Sequence, residues 1–226
     1  MLDRLELLIG DTNIDKIKNT NILLIGLGGV GGYVFESLVR SGINNITIVD
    51  KDVFDITNLN RQVLCTIDTI GKYKTDIAFL RGNSINKNIN ISKITKELTI
   101  DNINEINFKE YDYVIDACDT VSIKKEVIRI CTKNNIKFIS SMGTGNKLDP
   151  SKLCITDIRK TSYDPLAKIL RKMVKDERIK GYIPVVCSTE VPIKTNSKTI
   201  GSTSFVPSIA GLLITSYIIN DIVGEL

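Results

Sequence analysis

The sequence predicts an α/β protein built on a Rossmann-like, doubly wound, mainly parallel sheet, with an antiparallel extension and a C-terminal helix. Three observations predict it. Short runs rich in β-branched residues alternate with segments of helical period over the first two thirds of the chain. A glycine cluster, Gly26-Leu-Gly28-Gly-Val-Gly31-Gly32, follows the first such run directly and opens a helix pattern. Two of the runs end in an acid, Asp50 and Asp116, at the strand ends where ligand crevices open in such sheets.

Residues 21–25 (NILLI) form the first strand. A helix follows the glycines through 34–40 and stops near Gly42. Residues 45–49 (NITIV) form the second strand, and 55–60 a polar turn. A helix covers roughly 72–85, a third strand 91–96, and a fourth strand 113–115, leading into Asp116. The pattern continues with a helix over 121–133 and a strand at 137–140 (KFIS). After Gly143 it loosens: 153–157 and 183–188 read as strands, separated by a helix at about 165–175. In that helix Leu166, Ile169, Leu170 and Met173 follow i, i+3, i+4, i+7, the spacing of a buried stripe. The last helix starts at Pro207, a favoured first-turn residue, and runs to about 223.

Composition narrows the chemistry. With 226 residues the chain can bury a sizeable core, and 42% apolar against 25% charged residues is globular rather than disordered. Histidine is absent, which excludes Ser-His and Cys-His catalytic pairs and imidazole metal sites. The five cysteines, at 65, 118, 131, 154 and 187, contain no C-x-x-C pair, so neither a disulfide framework nor a zinc ribbon is indicated. A reduced, cytoplasmic setting is expected. The N-terminal segment has charges at Asp3, Arg4 and Glu6 and does not read as a signal peptide. The most apolar stretch, 205–219, is interrupted by Pro207, Ser208, Thr215 and Ser216, and reads as a buried or interface helix rather than a stable membrane insertion.

The glycine spacing G-x-G-x-x-G, between a strand and a helix, lets backbone approach phosphate at a helix N-terminus. Asp50, 24 residues after Gly26 at the tip of the second strand, is placed to accept hydrogen bonds from ribose hydroxyls. By itself this would read as NAD. The residues that follow point elsewhere. Asp50, Asp52, Asn58, Arg61 and Gln62 fall in VDKDVFDITNLNRQ, Lys74 stands at a helix start, and Asp119 lies just past the fourth strand. Arg61 and Lys74 offer fixed positive charge for a polyphosphate. Asn58 can hydrogen-bond phosphate or ribose. Asp119 can hold magnesium, which takes a carboxylate plus phosphate oxygens. A dinucleotide site needs none of these, so the pattern favours Mg-ATP.

Taken in order, G-x-G-G-x-G, V-D-x-D-x-F-x-x-x-N-x-x-R-Q, G-x-x-K and D-x-x-D resemble the MoeB/ThiF superfamily, relatives of the ubiquitin-activating enzymes. The resemblance implies ATP and Mg²⁺ as cofactors and adenylation of a carboxylate. It puts Gly26, Gly28 and Gly31 against the nucleotide and Asp50 on the ribose. Asn58, Arg61 and Lys74 contact ribose and phosphates, with Asp52 and Gln62 in the same shell. Asp119 is the metal ligand and the key acid. RLELLIG (4–10), SSMGTGNKLDP (140–150), DPLAKILRK (164–172) and GSTSFVPSIAGL (201–212) further resemble one subgroup, the tRNA threonylcarbamoyladenosine dehydratases. That likeness implies ATP-dependent cyclisation of threonylcarbamoyladenosine at position 37 of tRNA, through an acyl adenylate. The alternative it leaves is adenylation of a ubiquitin-like sulfur carrier. The absent C-x-x-C pairs weigh against the latter.

The resemblance also implies a homodimer in which Arg4 reaches the partner's ATP, and it allows a cysteine desulfurase or other sulfur-transfer partner. It organises the chain as one unit, 1–226, with a nucleotide-binding part at 1–146 and a basic, tRNA-side and dimer-forming part at 147–226. Net charge is +4 overall, but residues 147–198 alone carry twelve Lys/Arg against six acids. Within them Lys168, Arg171, Lys172 and Lys175 share a helix face and are expected to track tRNA phosphates.

Overall fold

Strand β1 (Asn21–Ile25) occupies the middle of the sheet and is buried from its second residue onward. A strand covered on both faces reads as a continuous apolar run, and NILLI does. Its residues divide by pleat. Ile22 and Leu24 belong to one hydrophobic cluster, Leu23 and Ile25 to the other. The computed structural model describes residues 1–197 and 199–224.

The other strands are β2 (Asn45–Val49), β3 (Asn90–Ile94), β4 (Tyr113–Asp116), β5 (Lys137–Ser141), β6 (Leu153–Asp157) and β7 (Pro184–Ser188). They form one sheet in the order β3-β2-β1-β4-β5-β7-β6. All neighbours are parallel except β6 and β7, which run antiparallel with Cys154 opposite Cys187. The helices are α1 (Asp3–Ile9), α2 (Asp11–Asn19), α3 (Gly31–Arg40), α4 (Lys74–Ile85), α5 (Val121–Asn134), α6 (Pro165–Asp176) and α7 (Phe205–Val223). One face of the sheet buries Val34, Phe35 and Leu38 of α3 with Ala210, Ile214 and Ile218 of α7. The other face buries Ile123, Val127 and Ile128 of α5 with Ala167, Leu170 and Met173 of α6. The fold class and the order of strands and helices thus follow the sequence pattern.

Four details differ. Helices α1 and α2 were not expected; α1 buries no residue fully and rests on the core only through the half-buried Leu5 and Ile9, while Leu7 and Leu8 between them are exposed, which blurs its helical period. The polar turn at 55–60 contains a short 3₁₀ helix, Ile56–Asn58, fixed by a capping box: Asp55 accepts from the Thr57 N–H at 2.8 Å, and Asn58 accepts from the Asp55 N–H at 3.1 Å. Helix α7 begins at Phe205, with Pro207 in its first turn, where a missing N–H leaves no intrahelical bond unmade. It is long and apolar enough to cross a membrane, yet its buried side closes on α3: a Cβ on Gly211 would stand 2.6 Å from the Val30 carbonyl oxygen. Finally, the buried side of α6 is Ala167, Leu170, Met173 and Val174. Ile169, expected in the stripe, is 43% exposed, because the buried face is rotated toward Val174.

Candidate active site

The chain leaves β1 toward β2 on one side and β4 toward β5 on the other, so the sheet reverses its direction of growth between β1 and β4. A crevice opens at the carboxyl ends of strands at such a switch point. The glycine loop forms one wall of it. Gly26 adopts φ 93°, and a Cβ there would lie 2.8 Å from the Ala117 backbone. On Gly31 a Cβ would stand 1.9 Å from the Gly26 carbonyl oxygen. Both residues are glycine because the loop, the first turn of α3 and the β4 loop touch. Gly28 is different: no atom lies within 4 Å of its would-be Cβ. It keeps backbone clear beside open space, which is what a ligand cradle requires. Gly31→Ala is therefore expected to lower the melting temperature by roughly 10 °C. Gly28→Ala should melt like the parent and lose nucleotide affinity on the order of tenfold. Calorimetry and nucleotide titration check both, and undiminished affinity in Gly28→Ala would remove that residue from the cradle.

Asp50 braces this wall. One of its carboxylate oxygens accepts from the Leu27 N–H at 2.7 Å, the other from the Asp52 N–H at 2.8 Å. A carboxylate has about four acceptor positions, so each oxygen keeps one for a hydroxyl. Lys74 opens α4 and is only 5% exposed; its ammonium donates to Asp52 at 3.0 Å. Asp52 is thus the counter-ion that holds a buried cation at the crevice. Arg61 donates from one nitrogen to the Thr57 carbonyl and to Asn60, both at 2.9 Å. Its stem lies 3.4 Å from the Cβ position of Gly29, which sets it against the glycine loop. Asn58 spends its carbonyl oxygen on the cap of its own turn, leaving its amide hydrogens for a ligand.

Gln62 is buried, and its side-chain oxygen has no hydrogen-bond partner. An orphaned buried acceptor costs on the order of 1–3 kcal/mol unless something donates to it. Its position beside Arg61 makes it a waiting contact for a ligand or water. Asp119 lies three residues past β4 and is exposed; it has no hydrogen-bond or ion-pair partner among the described residues. Lys51 stands between these groups: Glu97 raises its pKa first, through a 2.7 Å hydrogen bond, and Asp52 and Asp119 raise it further. The crevice therefore gathers Gly26, Gly28, Gly31, Asp50, Asp52, Asn58, Arg61, Gln62, Lys74 and Asp119 from three strand-to-helix connections. A single free carboxylate beside fixed cations fits magnesium on a polyphosphate, which needs one or two carboxylates. No cluster of three or more His, Cys, Asp or Glu exists among the described residues, so an all-protein metal cage is not built here.

Arg4 does not join this group within its own chain. It is exposed on α1, and the neighbouring Leu2 packs where a Cβ on Gly42 would be, past the C-terminal end of α3. The ten residues of α3, about 15 Å of helix, separate that end from the glycine loop.

Sequence reasoning missed Lys124. Its ammonium is fully buried and donates to Asp116 at 2.9 Å, to the Ser141 carbonyl at 2.8 Å and to Ser140 at 3.3 Å. Asp116 also receives the Cys118 N–H at 3.3 Å, so one ion pair fixes both the turn leading to Asp119 and the end of β5. The readable signal was a lysine in the apolar stripe of α5, with Val127, Ile128 and Cys131. Burial pushes the thiols of Cys65, Cys118 and Cys131 up, and that of Cys187 up to about 12, so they stay protonated near neutrality.

The loop after β5 borders the crevice. Asp164 accepts from the Gly143 N–H at 2.6 Å, and the buried Lys147 donates to the Gly143 carbonyl at 3.0 Å; burial lowers its pKa. Asp164 is also the N-cap of α6, accepting from Leu166 and Ala167 N–H groups. The basic helix therefore starts at the crevice. Lys168, Lys172 and Lys175 are exposed on its outer side, without ion-pair partners among the described residues. Arg171, expected on the same track, instead turns back and donates to the Thr161 carbonyl at 2.8 Å and to its hydroxyl. Lys198, another cation of the basic segment, lies outside the described residues.

Comparison with known proteins identifies the relatives of the chain. A model of the ThiF family matches residues 2–222. The chain is 36% identical over 240 residues to the tRNA threonylcarbamoyladenosine dehydratase of Bacillus subtilis (strain 168), covering 99% of this chain and 94% of that protein. It is 34% identical over 197 residues to the dehydratase of the same name from Escherichia coli (strain K12), covering 84% of this chain and 74% of that one. The crystal structure of E. coli tRNA N6-threonylcarbamoyladenosine dehydratase in complex with ATP superposes with a TM-score of 0.92 at 30% identity, covering 98% of this chain and 93% of that chain.

Proposed function

The chain belongs to the ThiF family, and we propose that within it the protein is an ATP-dependent tRNA threonylcarbamoyladenosine dehydratase. The observation that carries this reading is the crevice between β1 and β4, where an open glycine backbone, two held cations and a free carboxylate converge, in a chain similar from end to end to dehydratases of that name.

The reaction is written in two displacements. A threonyl carboxylate oxygen attacks the α-phosphorus of ATP, and pyrophosphate leaves with the bonding pair. An atom of the same threonylcarbamoyl group then attacks the activated carbonyl carbon, and AMP leaves with the original carboxylate oxygen. The attacking atom gives up its proton, so the nucleoside loses the elements of one water. Because attacker and target share one side chain, ring closure needs positioning rather than an enzyme nucleophile. That agrees with protonated thiols and the absence of histidine.

The residues divide the work. Gly28 and the N-terminus of α3 receive phosphate oxygens. Asp50 takes the ribose hydroxyls. Arg61 and Lys74 balance charge on the leaving pyrophosphate, and Asn58 and Gln62 complete the nucleotide contacts. Asp119 is the residue that holds magnesium, which supplies charge neutralisation at the phosphates when bound. Lys168, Lys172 and Lys175 meet the tRNA backbone. The protein acts as a homodimer in the cytoplasm. Leu7 and Leu8 of α1, 89% and 70% exposed, support a second copy seated on that helix, and Arg4 then serves the neighbouring site in trans.

The test is direct. Threonylcarbamoyladenosine-bearing tRNA, protein and Mg-ATP are incubated and the digested nucleosides weighed. ATP-dependent loss of one water with AMP release is expected. Nucleotide binding without any conversion would move the substrate to another carboxylate, such as a carrier protein's C-terminus.

A further inference from the structure

Between the crevice and the lysine side of α6 lies segment 161–164, pinned at both ends. Thr161 is buried, and its carbonyl and hydroxyl both accept from Arg171. Asp164 is buried too; one carboxylate oxygen caps α6 and the other holds Gly143 at 2.6 Å. At the apex between them Tyr163 adopts φ 56°, the left-handed region that bulky L-residues avoid. The residue is 59% exposed, and its hydroxyl has no hydrogen-bond partner among the described residues. Two buried polar anchors thus hold an aromatic ring out into solvent on a backbone it would not choose. Strain of this kind persists where the surroundings over-determine it, and it concentrates at ligand contacts.

Its neighbourhood says which ligand. Gly143 follows β5, and β5 lies two strand spacings, about 10 Å, from β1 and its glycine loop. On the other side, one to three turns into α6, stand Lys168, Lys172 and Lys175, exposed and without ion-pair partners among the described residues. A single-stranded RNA loop is recognised by cations on its backbone and by aromatic rings stacked on its splayed bases. Resting on the tRNA reading above, we infer that Tyr163 is the stacking platform for an unstacked nucleobase of the anticodon loop, beside the adenosine being modified.

The chain has no tryptophan, so Tyr163→Trp introduces a sole indole reporter at the platform. The probe is an anticodon stem-loop carrying threonylcarbamoyladenosine. Its binding should quench the indole, and Tyr163→Phe should bind as the parent does. Tyr163→Ala should bind about tenfold more weakly or worse. The dependence of affinity on salt should keep its slope in Tyr163→Ala, since no charge is removed. ATP titration of each variant verifies its fold. If the parent converts the tRNA while Tyr163→Ala binds the stem-loop as tightly, or the saturated indole is unquenched, the platform is refuted and the dehydratase reading stands. If the parent neither binds nor converts the tRNA, both fall.

Discussion

Asp119→Ala is expected to lower the rate of tRNA conversion by on the order of 10³-fold or more while tRNA affinity survives. The carboxylate is the free acid of the crevice, with no partner among the described residues, so its removal breaks no internal bond. On the proposed reading it removes the anchor for magnesium on a polyphosphate, and charge stabilisation of that kind is worth several kcal/mol, about a thousandfold per 4 kcal/mol. Asp119→Asn should behave alike, because an amide keeps the shape but not the charge. Single-turnover conversion and filter binding separate the two effects. Conversion within about tenfold of the parent would take Asp119 out of the mechanism.

Lys124→Met is expected to cost about 3–5 kcal/mol of stability, because it leaves the Asp116 carboxylate buried without its partner. A chain of this size should then melt roughly 10 °C lower. Adding Asp116→Leu should restore much of the loss, since a buried ion pair is often replaceable by apolar groups of similar volume. Denaturant melts of the two single variants and the double variant measure the coupling. A loss under about 1 kcal/mol in Lys124→Met would mean that water reaches Asp116 when the ammonium is gone.

The parallel sheet was legible because buried strands of this kind advertise themselves as unbroken apolar runs, and NILLI and NITIV are such runs. The acids at strand ends and the glycine spacing were legible for a related reason: they occupy positions fixed by the strand–loop–helix unit itself. Other features depend on partners far away in the chain, and these were hidden. Asp116 read as an acid at the crevice end of a strand, but Lys124 takes its carboxylate inside the core. Arg171 looked like a surface cation, but Thr161 takes its guanidinium. Ile169 was read as core by its type, whereas the phase of α6 against α5 decides its burial. Helix α1 mixes the exposed Leu7 and Leu8 with the packed Leu5 and Ile9, so its face is hard to read, and the cover that Leu2 gives Gly42 is what reveals where Arg4 sits.

Helix α7 adds a constraint in time. The cluster that encloses β1 on one face takes Ala210, Ile214, Ile218 and Val223 from this last helix. During synthesis, residues 1–146 leave the ribosome with the α7 side of the β1 and α3 layer uncovered, and that side stays uncovered until α7 emerges. At roughly 5–20 residues per second that exposure lasts for several seconds. The nucleotide wall is translated early but matures late. A nascent chain stalled before α7 would present an open apolar face to chaperones.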